Sequence, residues 1–135
     1  MKVKNFLIIS AIVFLVFGIG FLFAPVWSTG LFDITVEPGG AMIVQLLAAA
    51  FLGFAALNWF GRNYAAPEDV RSIIIANFFG DTIGFIITLY HRLDGMGNAW
   101  TWIPIVLYLL FALAFGYSLL DRKTYEKPVI RPKTA

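Results

Sequence analysis

The sequence predicts an all-α protein, a four-helix transmembrane bundle with both termini on the cytoplasmic side, and three observations lead there. Of its 135 residues, 60% are hydrophobic and only 13% are charged, a balance too apolar for a soluble domain of this size. The apolar residues fall into four runs, at about 6–23, 41–60, 72–90 and 99–120, each long enough to cross a hydrocarbon core about 30 Å thick. On a four-span reading, Lys2, Lys4, Arg62, Arg71, Arg122, Lys123, Lys127, Arg131 and Lys133 share one side, and Arg92 alone takes the other. Basic residues gather on the cytoplasmic side of a membrane, so the termini and the second loop are expected there. The expected setting is the bacterial cytoplasmic membrane, crossed several times by one domain (1–120) that a basic tail (121–135) follows.

Each span has its own justification. The first run, Phe6 to Phe23, exceeds the roughly 7 to 15 apolar residues of a signal-peptide core, and no small-x-small cleavage pattern follows it. It is expected to be a retained span that ends near Pro25, with Trp27 at the interface. Residues 28–40 read as a loop closed by a turn at Pro38-Gly39-Gly40. The second span carries a stripe, Gln45, Ala49, Gly53 and Ala56, whose mostly small side chains are expected to approach another helix closely. Pro67-Glu68-Asp69 resembles a helix start, with acids well placed in a first turn. The glycine-rich stretch His91 to Asn98 reads as a short turn, and Trp100 and Trp102 mark the start of the fourth span.

The third span holds the position that most needs an explanation. Counting ten residues from Arg71 at about 1.5 Å each puts Asp81 roughly 15 Å deep, near the middle of the hydrocarbon. Asn77, Asp81, Gly84 and Thr88 share one helix face and form a polar ladder. An Asp at that depth costs about 2.5 to 3.5 kcal/mol on an insertion scale, so this face is expected to turn inward, where Gln45, Tyr108 or a water meets the carboxyl group. Gly80 and Gly84 form a GxxxG pair suited to packing within the bundle or to self-association. Asn58 and Arg62, one turn apart at the end of the second span, are candidates for a lipid headgroup.

The same residues exclude much. The chain has no cysteine and one histidine, which removes disulfides, thiolate metal sites and a bis-histidine haem within one chain. His91, Asp33, Glu37 and Asp94 lack metal-binding spacing, and no nucleophile motif, phosphate-binding glycine loop or basic platform for nucleic acid is present. No cofactor is expected, and no enzymatic activity. Leu22-Phe23-Ala24-Pro25, Leu57-Asn58-Trp59 followed by Arg62, and Phe111 to Tyr117 together resemble a family of small four-span bacterial integral membrane proteins to which no activity is attached. The expectation is a non-enzymatic accessory or ligand- or lipid-binding bundle, in contact with membrane lipids and a larger membrane complex or a second copy. The alternative is a proton-coupled transporter of a small hydrophobic or cationic compound, with Asp81 carrying the proton.

Overall fold

Proline sets the helix boundaries in the first half of the chain, and the computed structural model, which describes residues 3–63 and 67–121, shows how. Helix α1 (Val3–Phe23) stops where Ala24 leaves helical geometry, at φ −138° and ψ 58°. The ring of Pro25 disfavours a helical conformation at the residue before it. Pro25 then opens a second, short helix, α2 (Pro25–Gly30), at a position where its missing N–H has no helical partner to lose. Hydroxyl groups hold this turn in place. Ser28 donates to the Gly20 carbonyl at 2.9 Å, and Thr29 donates to the carbonyls of Pro25 and Val26 at 3.0 and 3.1 Å.

The expected loop at 28–40 is therefore shorter than the sequence suggests. Pro38 does not close it as a turn; it starts helix α3 (Pro38–Gly61), again from a position that tolerates proline. Helix α4 (Pro67–Leu93) begins at Pro67 as expected and runs past the expected end at Tyr90. A 3₁₀ turn (Ala99–Thr101) leads into α5 (Trp102–Leu120). Gly95 and Gly97, at φ +91° and +77°, let the short α4–α5 connection take a backbone geometry that side chains disfavour. The expected basic tail lies outside the described residues apart from Asp121.

The described residues contain no strand, and four of the helices are long and apolar enough to cross a membrane. Large apolar side chains such as Val16, Ile43, Phe60, Phe79, Leu113 and Tyr117 face outward along them. That surface suits lipid, where helices satisfy their own backbone groups. The chain is an all-α, multi-pass four-helix transmembrane bundle.

The bundle consists of two tight helix pairs. Helix α1 packs along α3 and α4 along α5, while contact between the pairs is sparse. Gly18 lets the first pair approach closely, since a Cβ there would lie 2.8 Å from Leu52. The facing surface of α3 is formed by Ala48, Leu52 and Ala55, not by the stripe expected from the sequence: Gln45, Ala49, Gly53 and Ala56 are exposed. In the second pair, Gly84 receives the Tyr108 ring, and a Cβ would lie 2.7 Å from it.

The pairs are joined at their two ends by different means. Where α1 begins and α5 ends, called here the terminal end, Leu7, Ile73, Ile74, Phe111 and Phe115 form a buried cluster, and the Phe6 and Phe115 rings lie 6.5 Å apart. At the opposite, loop end, Asn98 bridges the two connections. Its backbone N–H donates to the Phe32 carbonyl at 3.1 Å, and its side-chain amide donates to the Leu31 carbonyl at 3.0 Å.

Candidate functional site

Two polar features occupy the bundle interior, and they are of opposite kinds. The first is a clasp of three side chains from three helices. Asn58 of α3 donates to Ser10 Oγ of α1 at 3.0 Å and to Asn77 Oδ1 of α4 at 2.8 Å. Asn77 returns a hydrogen bond to Asn58 Oδ1 at 2.7 Å and donates to the Ile73 carbonyl at 2.9 Å. All three residues are buried to within 1% of complete. Both amides thus have their N–H groups placed and exchange a reciprocal pair, the arrangement that makes buried polar groups tolerable in an apolar interior. The clasp ties the two helix pairs together near the terminal end.

The second feature lies one helical turn farther along α4. Asp81 is 1% exposed, it sits at the middle of the candidate span Val70–Leu93, and neither carboxyl oxygen has a hydrogen-bond partner among the described residues. It forms part of the wall of a cavity of about 270 Å³ between the two helix pairs. The first pair contributes Val13, Phe14, Phe17, Phe21, Val44, Leu47 and Phe51 to that wall, and the second contributes Thr88, Pro104, Leu107, Tyr108 and Phe111. Thr29, Phe32, Ile34 and Thr101 line it toward the loop end. The wall is overwhelmingly apolar and aromatic, with few polar groups, which is the usual character of a small-molecule site.

The polar groups of the wall differ in what remains free. Thr29 is committed to the carbonyls of α2, and Thr88 donates to the Gly84 and Phe85 carbonyls at 2.7 and 3.2 Å. Asp81 and Thr101 carry buried oxygens without a partner among the described residues. An unpartnered polar atom in an apolar interior costs about 1 to 3 kcal/mol, and more if it is charged. Such a group is poorly explained by packing alone.

The residues expected from the sequence to act together are thereby sorted. Asp81, Thr88 and Tyr108 meet at the cavity. Asn77 shares their helix but turns its amide to the clasp, so it is a structural contact between helices. Gln45 does not reach the acid; it donates to the Leu22 carbonyl at 3.0 Å on the exposed side of the first pair. Asn58 does not present itself to a lipid headgroup, because it is fully buried and both of its amide hydrogens are committed inside the clasp. Arg62 folds back on its own helix, donating to the Trp59 carbonyl with its guanidinium 3.6 Å from the Trp59 ring centroid. The GxxxG pair is divided as well. Gly84 is covered by Tyr108, while Gly80 faces outward with nothing within 4 Å of an added Cβ.

Ser10, Thr29, Asn98 and Thr101 were not singled out by the sequence. Ser10 is a lone small polar residue within the first apolar run, and Asn98 follows a glycine at the mouth of the last span. Those are the only local signals they carry. Comparison of the chain with models of protein families, with curated proteins and with solved structures finds no match.

Proposed function

We propose that this chain is a non-enzymatic integral membrane protein that binds one small, mostly apolar molecule in the cavity between its helix pairs, with Asp81 as the polar contact. The observation that carries the reading is an acid, its two oxygens unpartnered among the described residues, in the wall of a largely apolar cavity. A carboxyl group so placed recognises an amine or another hydrogen-bond donor, and the aromatic wall accommodates the apolar remainder. An amine with an apolar body is the ligand class that such a wall fits. The basic residues assigned to the terminal end support a cytoplasmic location for both termini in a bacterial cytoplasmic membrane.

The test is equilibrium binding of n-octylamine and n-octanol to the purified protein in detergent, with Asp81→Asn measured in parallel to subtract partitioning into micelles. The reading expects saturable binding of the amine, weaker binding of the alcohol, and loss of the amine preference in Asp81→Asn. Equal binding by wild type and variant would falsify it.

A second reading, proton-coupled transport of such a compound with Asp81 carrying the proton, is favoured by the sparse contact between the two helix pairs that flank the cavity. It predicts amine flux into liposomes driven by a pH gradient, abolished by Asp81→Asn. Saturable binding with no flux leaves the binding or accessory role.

A further inference from the structure

We infer that the cavity at the height of Asp81 is an aromatic box, and that the cation it prefers is a quaternary ammonium ion rather than a primary amine. The inference rests on the assignment of Asp81 as a ligand contact and extends it to the chemical class of the group that the acid meets.

Helix register places the box. The hydrogen bonds of Asn58 to Ser10 and to Asn77 put these three residues at one height in the bundle. Four residues from there toward the loop end, about one turn, stand Phe14 on α1 and Asp81 on α4. Phe51 of α3 lies beside Phe14, with the ring centroids 5.4 Å apart. The second pair is aligned by two contacts, Gly84 against the Tyr108 ring and Gly116 against the Phe78 ring. In that antiparallel register Asp81 falls opposite Phe111 of α5, about one turn from Tyr108. Asp81 and the rings of Phe14, Phe51, Tyr108 and Phe111 all line the one cavity. Three helices thus bring rings to the height at which the fourth brings the acid.

The chemistry of that wall selects among cations. Asp81 is the only charged residue lining the cavity among the described residues, so a ligand has to supply the opposite charge. Aromatic faces carry partial negative charge and attract a cation most strongly where water is excluded. A primary ammonium brings three N–H donors that water would satisfy, and each one left unpaired in an apolar wall weakens binding. Here the polar groups are one carboxyl and a few hydroxyls, of which those of Thr29 and Thr88 already serve backbone carbonyls. A quaternary ammonium has no N–H to strand. Its charge is spread over N-methyl groups that pack against rings, the contact that aromatic cages use.

The experiment measures equilibrium binding of n-octylamine and n-octyltrimethylammonium to the purified protein in a maltoside detergent, with Asp81→Asn in parallel to subtract partitioning into micelles. The quaternary ion is expected to bind at least about fivefold more tightly than the amine, as one unpaired donor avoided allows. Phe14→Leu and Phe111→Leu are each expected to weaken the quaternary ion about three- to thirtyfold and the amine by less, whereas a purely structural loss would weaken both alike. Phe79→Leu removes a ring from the outward face of α4 and is expected to leave both affinities unchanged. On wild type alone, the N-methyl proton resonances of the bound ion are expected to move upfield, as protons held over ring faces do. If the amine binds through Asp81 but the quaternary ion binds no better, if its N-methyl resonances do not move upfield, or if the two variants weaken both ligands alike, the box is refuted and the Asp81 contact stands. If neither ligand binds in an Asp81-dependent way, both readings fail.

Discussion

Replacing Asp81 by leucine is expected to make the protein more stable while removing the proposed ligand contact, and this opposite movement of two properties is what a binding group, as distinct from a packing group, should show. The structure gives the magnitude. Both carboxyl oxygens are buried and unpartnered among the described residues, an uncompensated polar group worth about 1 to 3 kcal/mol. Leucine removes that cost and contributes apolar contact. Its slightly greater bulk has the adjoining cavity to occupy, which limits the overpacking penalty that a filled core would impose. The net expectation is a stabilisation of about 1 to 3 kcal/mol. The chain has no cysteine, so a dye pair at Lys4→Cys and Leu120→Cys, two exposed positions near the terminal end, reports separation of α1 from α5 during detergent-induced unfolding. Amine binding is measured on the same samples. If Asp81→Leu lost about 1 kcal/mol or more, the carboxyl group would have a favourable partner in the folded protein, and the reasoning that assigns it to a ligand would be wrong.

Three other perturbations bear on the architecture. In the clasp, Asn58→Ala and Asn77→Ala are each expected to destabilise by about 1 to 3 kcal/mol, and the double variant by less than the sum, with a coupling of about 1 kcal/mol; full additivity in the unfolding assay would mean that the reciprocal pair is not formed. Gly84→Ala is expected to cost about 1 to 3 kcal/mol because its Cβ would crowd the Tyr108 ring, whereas Gly80→Ala, with open space around it, is expected to be neutral or stabilising by up to about 1 kcal/mol; equal effects at the two positions would contradict the observed rotation of α4. Asn98→Ala removes the side-chain bond to Leu31 and is expected to speed hydrogen exchange across residues 31–34 without changing exchange around Asn58 and Asn77; a uniform change along the bundle would show that the loop end is not a separate unit.

What could be read from the chain and what could not divide along a physical line. Span number and position follow from run length and from proline, so the four helices were legible, as was the oddity of Asp81 in the third. Helix rotation was legible only in the third span, whose ladder of Asn77, Asp81, Gly84 and Thr88 does turn inward. The other spans are apolar around nearly their whole circumference, so no polar face marks which side turns inward. The small-residue stripe of the second span was accordingly assigned through Ala49 and Gly53, while the buried face runs through Ala48 and Ala55, about one residue, or 100°, away. The same ambiguity hid the partner of Asn77. Asn58 looked interfacial because of its place in the chain, and only the packing of α3 against α1 and α4 reveals that it is buried. Proline carried two meanings that sequence alone did not separate: Pro25 ends one helix and starts another, and Pro38 starts a helix where a turn was expected.

One turn of α4 separates the two polar sites, and this spacing determines how the bundle can move. On the terminal side of that turn, Asn77 is locked into a clasp whose hydrogen bonds are all supplied by protein, beside an apolar cluster that includes Leu7, Ile74 and Phe115. On the loop side, the pairs face each other across the cavity and are bridged by the two hydrogen bonds of Asn98. Parting the helix pairs at the terminal end would strand buried amides and expose the apolar cluster. Parting them at the loop end costs the two hydrogen bonds of Asn98 near the helix ends, where water can replace them. The cheaper displacement is therefore a spreading at the loop end about the clasp, which leaves in place what holds the four helices together.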